Sequence, residues 1–156
     1  MDRLYRFSPI GSRDQLLAAI HYVAERTTTL CREVCGEAYP VSGLTVFAHF
    51  PEEFEALEKI LAEMGDPLAE HNGPYVSLHD PVPLPLGELR KLRIRMPDPY
   101  RMQVGCNDFD VGDYARFKER FLEPRAKNLR LIVRPESEMI EFFGPGYDVL
   151  AYAVSR

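Results

Sequence analysis

A chain of 156 residues with 46% apolar and 28% charged side chains has the make-up of an ordinary globular protein, enough for one domain or two small halves sharing a core. Its net charge of −5 gives no general attraction for nucleic acid, and no apolar run approaches the roughly 20 residues of a membrane span. The opening MDRLYRFSPIG lacks a signal-peptide core, so the expected compartment is the cytoplasm.

The first predicted element is a long helix, SRDQLLAAIHYVAERTTTLCREVCG. Ser12 and Gln15 have capping-box spacing at its start, and Gly36 stands where a left-handed C-cap is expected. Leu16, Leu17, Ile20, Val23, Ala24, Thr27, Leu30 and Val34 recur at helical period and form the buried stripe. His21 reads as a surface residue. Cys31 and Cys35 fall on neighbouring turns, and no further Cys or His pair completes a zinc site, so they read, with Cys106, as reduced thiols.

From Leu44 the texture becomes β-branched and aromatic, and LTVFAHF is expected to be a strand ending at His49. PEEFEALEKILAEMG follows as a helix with Pro and acids in its first turn and Phe54, Leu57, Leu61 and Met64 inward. Short extended pieces are expected at 67–71, 75–79 and 89–96. EHNGPY is turn chemistry around Asn72-Gly73, and HDPVPLPLGE, with three prolines, is expected to be a loop or an edge. LRKLRIRMP alternates, with Leu92, Ile94 and Met96 on one face and Arg93 and Arg95 on the other.

The second half repeats this order. MQVGCNDF is a strand, Asp113 caps the helix DYARFKERFLE, and NLRLIVR, EMIEFF and DVLAYAV are strands in succession. EFEALEKIL at 53–61 aligns with DYARFKERF at 113–121, acid on acid and aromatic on aromatic, which points to one supersecondary unit repeated after about 60 residues. The expected fold is therefore α+β: two consecutive βαβββ modules forming a cup-like mixed sheet, preceded by an N-terminal helix. Residues 1–43 form the helical extension, and 44–156 form one domain of two modules, 44–97 and 98–156.

This order resembles the vicinal oxygen chelate superfamily of glyoxalases, extradiol dioxygenases and fosfomycin-resistance proteins. QVGCNDFDVGDYARFKERF resembles its second-module opening, and EMIEFFGP is similar to its closing strand, where a Glu is a metal ligand. The resemblance implies a metal-dependent lyase, isomerase or oxygenase acting on a small polar or anionic substrate inside the cup. It implies a divalent metal held by His49, Gln103 and Glu141, with His49 and Glu141 also in catalytic roles. Arg93 and Arg95 stand where the family shows His or Glu, and a strand delivering arginines repels a cation.

Read by their own chemistry, Arg93, Arg95 and Arg101 suit a carboxylate or phosphate held by bidentate hydrogen bonds, with Gln103 as a further ligand-binding residue. Glu141 shares a strand face with Met139 and Phe143, where an unpaired carboxylate is expensive, and Arg93 or Arg95 are its expected partners. Cys106 is expected to be a buried, inert thiol. Two functions stay open: a small-molecule enzyme or binder, and a non-enzymatic structural or protein-interaction domain with these residues in an internal salt-bridge network. The expected partners are a small molecule and a second copy of the chain, with neither nucleic acid nor membrane.

Overall fold

Ser12 starts the chain's longest helix by accepting a hydrogen bond from the Gln15 amide at 3.2 Å, while the Gln15 side chain reaches back to the Gly11 amide at 2.8 Å. The helix, α1 (Arg13–Cys35), ends at Gly36 in the left-handed conformation, φ 76°. The computed structural model describes residues 5–68, 75–98, 100–124 and 127–155. After α1 the chain runs β1 (Val41–Phe47), α2 (Pro51–Met64), β2 (Gly65–Leu68), β3 (Tyr75–Leu84) and β4 (Gly87–Arg95). The second module follows as β5 (Gly105–Phe109), α3 (Tyr114–Phe117) running on into π-helical turns (Lys118–Leu122), β6 (Leu129–Val133), β7 (Glu138–Phe142) and β8 (Val149–Val154). The fold is the expected α+β arrangement of an N-terminal helix and two βαβββ modules.

All eight strands form one open mixed sheet in the order β2-β3-β4-β1-β5-β8-β7-β6. Within each module the first and last strands are parallel neighbours, β1 with β4 and β5 with β8. The modules meet where β1 and β5 pair antiparallel, Thr45 opposite Cys106 and Val46 opposite Gly105.

One sheet face is covered by helices. Leu44, Val46, Leu92 and Ile94 pack with Leu16, Ile20 and Val23 of α1 and Leu57 and Leu61 of α2. Beyond the seam, Phe109, Ile140, Phe142 and Ala151 pack with Leu30 and Cys31 of α1 and Phe117 of α3. Helix α1 thus bridges both modules. The 60-residue offset holds in three dimensions, because Leu57 and Phe117 occupy matching inward positions on α2 and α3. The other sheet face carries a smaller cluster of Phe47, Cys106 and Leu150 flanked by Phe143 and Tyr152. The sheet bends toward that side. Tyr75 on β3 brings its hydroxyl within 3.4 Å of Asp108 on β5, three inter-strand steps away, a span of about 14 Å if the sheet were flat.

Several boundaries differ from the sequence expectation. HDPVPLPLGE, expected to be a loop or an edge, is an edge: it contributes the second half of β3, a turn at 85–86 and the start of β4. It can do so because β2 pairs only with Tyr75–Leu78, leaving the Pro81–Leu84 stretch paired on one side alone, with a register shift between Ser77 and Val82. Strand β1 begins at Val41, three residues early, and β5 begins at Gly105, three residues late. The turn at 70–74, with His71, lies outside the described residues. Among the described residues, no helix is long and apolar enough to cross a membrane.

Gly105 is the tightest point of the seam. A Cβ there would stand 2.3 Å from the Thr45 carbonyl oxygen and 3.1 Å from Val23 Cγ2. Gly105→Ala should therefore force backbone to move and cost about 3 kcal/mol, measured as a lower denaturation midpoint at unchanged slope. Stability equal to that of the unsubstituted protein would contradict this packing.

Candidate functional site

Strand alternation sets the chemistry of the concave face, opposite the one on which the helices pack. On β4 the even residues Leu92 and Ile94 enter the helix-side core, so Arg93 and Arg95 project to the other side, as the sequence predicts. Arg93 donates from Nε to Thr45 Oγ1 at 3.1 Å, and its guanidinium stacks over the Tyr75 ring at 4.9 Å. Arg95 lies with its guanidinium 3.5 Å from the centre of the Phe47 ring. Its Nε and Nη2 are buried, and neither has a hydrogen-bond partner among the described residues. Burial holds the guanidinium below its usual pKa range, opposed by Cys106 and reinforced by the neighbouring charge of Arg101. Arg101 itself is half exposed, with Nε 4.0 Å from Asp98.

The thiol and phenol nearest Arg95 are neutral. Burial pushes the Cys106 thiol up to about 12, and burial, aided by Cys106 and Glu141, pushes Tyr152 above its ordinary range. Cys106 is therefore no activated nucleophile, in keeping with the inert thiol expected from sequence.

Glu141 is 3% exposed and sits on β7, the next-to-last strand rather than the closing one. Its partners are not Arg93 or Arg95. Arg130 on the adjacent β6 pairs with one carboxylate oxygen, and the Tyr152 hydroxyl donates to the other at 3.0 Å. The correction follows from sheet order: β4 lies four inter-strand steps from β7, about 19 Å along the sheet, whereas Arg130 and Tyr152 are the direct cross-strand neighbours of Glu141. The signal for Arg130 was present in the sequence. The turn RPES closes a hairpin between Arg134 and Ser137, and counting back from it sets Arg130 opposite Glu141. Tyr152, Tyr75, Thr45 and Phe47 carried no comparable mark.

His49 lies two residues past β1, 8% exposed, stacked on Tyr5 with centroids 4.0 Å apart. Both ring nitrogens are engaged. The Gln103 carbonyl, which can only accept, lies 3.0 Å from Nε2, so Nε2 carries the proton and Nδ1 accepts from the Ser8 hydroxyl at 2.6 Å. Glu53, from the first turn of α2, locks the same corner. Its carboxylate accepts from the His49 amide at 2.7 Å and from the Ile10 amide at 2.6 Å. Sequence reasoning placed Glu53 at the helix N-terminus for its charge and missed this role as a staple for the N-terminal segment. Gln103 lies just before β5, with its Oε1 buried and without a hydrogen-bond partner among the described residues.

The metal set His49, Gln103 and Glu141 does not assemble. The row of Glu141 crosses Tyr152 and Asp108 and reaches β1 at Gly43, six residues from His49, or roughly 20 Å along the strand. Ligands of one ion must stand within a few ångströms of each other. The imidazole is already hydrogen-bonded on both sides, the Glu141 carboxylate is paired, and the strands between them present Tyr152, Leu150 and Cys106. Among the described residues, no group of three or more His, Cys, Asp or Glu side chains could hold a metal ion. The residues do not fit a divalent cation, and no chemistry is derived through one.

No family model matches the chain, and no curated protein matches it. The structure is similar to a solved one described as "Structural Genomics, Protein EC4020", with a TM-score of 0.59 over 98% of this chain and 92% of that one at 12% identity. At that identity the likeness concerns the fold alone.

Burial lowers the pKa of His49 below its ordinary value, against the opposing pull of Glu53. With a depressed folded pKa, the unfolded chain binds the proton more tightly. The stabilisation is complete above the unfolded pKa of roughly 6.5 and is lost as pH falls through that value toward the folded one. Unfolding free energy should thus decline from pH 7 to 5, above the carboxylate range, and His49→Gln should flatten that slope. An unchanged slope in the variant would remove His49 as the titrating group.

Proposed function

We propose that the protein binds a small anionic molecule on its concave face, as a small-molecule-binding protein of glyoxalase/dioxygenase-like type related to the vicinal oxygen chelate superfamily. The observation that carries this reading is Arg95, whose buried Nε and Nη2 lack acceptors among the described residues, in a region that also holds Arg93 and Arg101. A buried donor without a partner costs about 1–3 kcal/mol, more when charged, and folds keep such groups where something else completes them. Two βαβββ modules in series, each with parallel first and last strands, support the superfamily assignment. The arginines then take the place that metal ligands hold in the resemblance, so substrate charge is met by guanidinium rather than by a metal ion. Arg93 and Arg101 flank Arg95 as binding residues, while His49 and Glu141 hold the corners of the face through Ser8, Gln103, Arg130 and Tyr152.

The second reading is a purely structural network, and the Glu141–Arg130–Tyr152 set favours it for that half of the face. Thermal unfolding against a panel of small carboxylates, phosphates and divalent metals separates the two. Binding predicts a dose-dependent rise in Tm with at least one anion and none with metals. The rise should be lost in Arg95→Met and kept in Arg90→Ala, whose side chain is exposed and paired with Glu88. A flat response of the unsubstituted protein to every anion would leave the structural reading standing.

A further inference from the structure

Resting on that reading, the geometry points to a ligand class: we infer that the concave face takes a monocarboxylic acid with a short apolar or aromatic body, its carboxylate gripped side-on by Nε and Nη2 of Arg95 and its body lying against Leu150, Phe143 and Tyr152. The two nitrogens, without partners among the described residues, lie on one edge of the guanidinium and present two parallel N–H bonds. That pair matches the two oxygens of one carboxylate. The face of the same guanidinium is already occupied by the Phe47 ring at 3.5 Å, which fixes the plane in which an acceptor must lie.

Charge balance argues for an anion from outside. The Cys106 thiol and the Tyr152 phenol stay neutral at pH 7. Glu141 is committed to Arg130 and Tyr152. Asp98 accepts from the Tyr100 amide at 2.9 Å and lies beside Arg101. Asp108, on the same face, lies 3.4 Å from the Tyr75 hydroxyl. None of these groups supplies a hydrogen bond to Nε or Nη2 of Arg95. The apolar body is suggested by the cluster that shares this face: Phe47, Cys106 and Leu150, with Phe143 and Tyr152 partly exposed around them. A compact, strongly hydrated phosphate would leave that surface uncovered and its remaining oxygens without donors from the Arg95 edge.

Isothermal titration with phenylacetate, acetate, 2-phenylethanol and inorganic phosphate tests the inference. Phenylacetate should bind about tenfold or more tightly than acetate, and 2-phenylethanol should not bind. Arg95→Lys, which keeps the charge but loses the two-pronged edge, should weaken phenylacetate by at least about tenfold. The comparison of acid with alcohol needs no variant, so it stands even if substitution at Arg95 impairs folding. Phosphate binding more tightly than phenylacetate would overturn the carboxylate inference while leaving an anion site. Absence of binding by all four compounds, with a flat anion panel, would overturn both.

Discussion

The antiparallel pairing of β1 with β5 is the constraint from which the rest of the molecule follows. Each module closes its own hydrogen bonding by setting its last strand parallel to its first, which leaves one free edge on each first strand. Joining those two edges makes an eight-stranded sheet with the modules on either side, and α1 lies across both cores on one face. The close approach demands a residue without a side chain at Gly105, where a Cβ would collide with the Thr45 carbonyl. It also fixes distances between charges. The arginine strand β4 and the acidic strand β7 end up on opposite sides of the seam, too far apart to neutralise one another.

That separation explains the uneven chemistry of the concave face. Glu141 meets the cost of burial locally, with Arg130 on one side and Tyr152 on the other. Arg93 spreads its charge over Thr45 and the Tyr75 ring. Arg95 has an aromatic surface beneath it and nothing at its hydrogen-bonding edge among the described residues. Among the described residues the fold leaves Gln103 Oε1, Asn107 Nδ2 and the Nε–Nη2 edge of Arg95 without partners, and of these only Arg95 is a charged, two-pronged donor, at one end of β1 and β4.

What was legible in the sequence is what depends on near neighbours along the chain. Ser12, Gly36 and Asp113 mark helix ends through bonds to residues three or four away, and all three do so in the structure. The alternation of Arg93 and Arg95 with Leu92 and Ile94 is likewise a local property of one strand. The repeat at 60 residues showed because equivalent helices meet equivalent sheets. Long-range partners were not legible. Ser8 reaches His49 across 41 residues and Tyr22 reaches Asp148 across 126, and no periodicity encodes such closures. The partner of Glu141 lies between these cases: Arg130 could be counted from a tight hairpin, whereas Tyr152 follows a looser connection whose register the sequence does not set. The resemblance to a metal-binding superfamily drew attention to His49 and Glu141. The charged donors without a partner among the described residues belong to Arg95, where the sequence departs from that pattern.

The central claim is that the Nε edge of Arg95 is a carboxylate site. It is tested most directly by following the Arg95 Nε–H resonance in a nitrogen–proton correlation spectrum during titration with phenylacetate. The account predicts a saturable downfield shift of that resonance, with the exposed Arg90 and Arg116 resonances unmoved. An Arg95 Nε–H that does not respond while phenylacetate binds elsewhere, or does not bind at all, would contradict it.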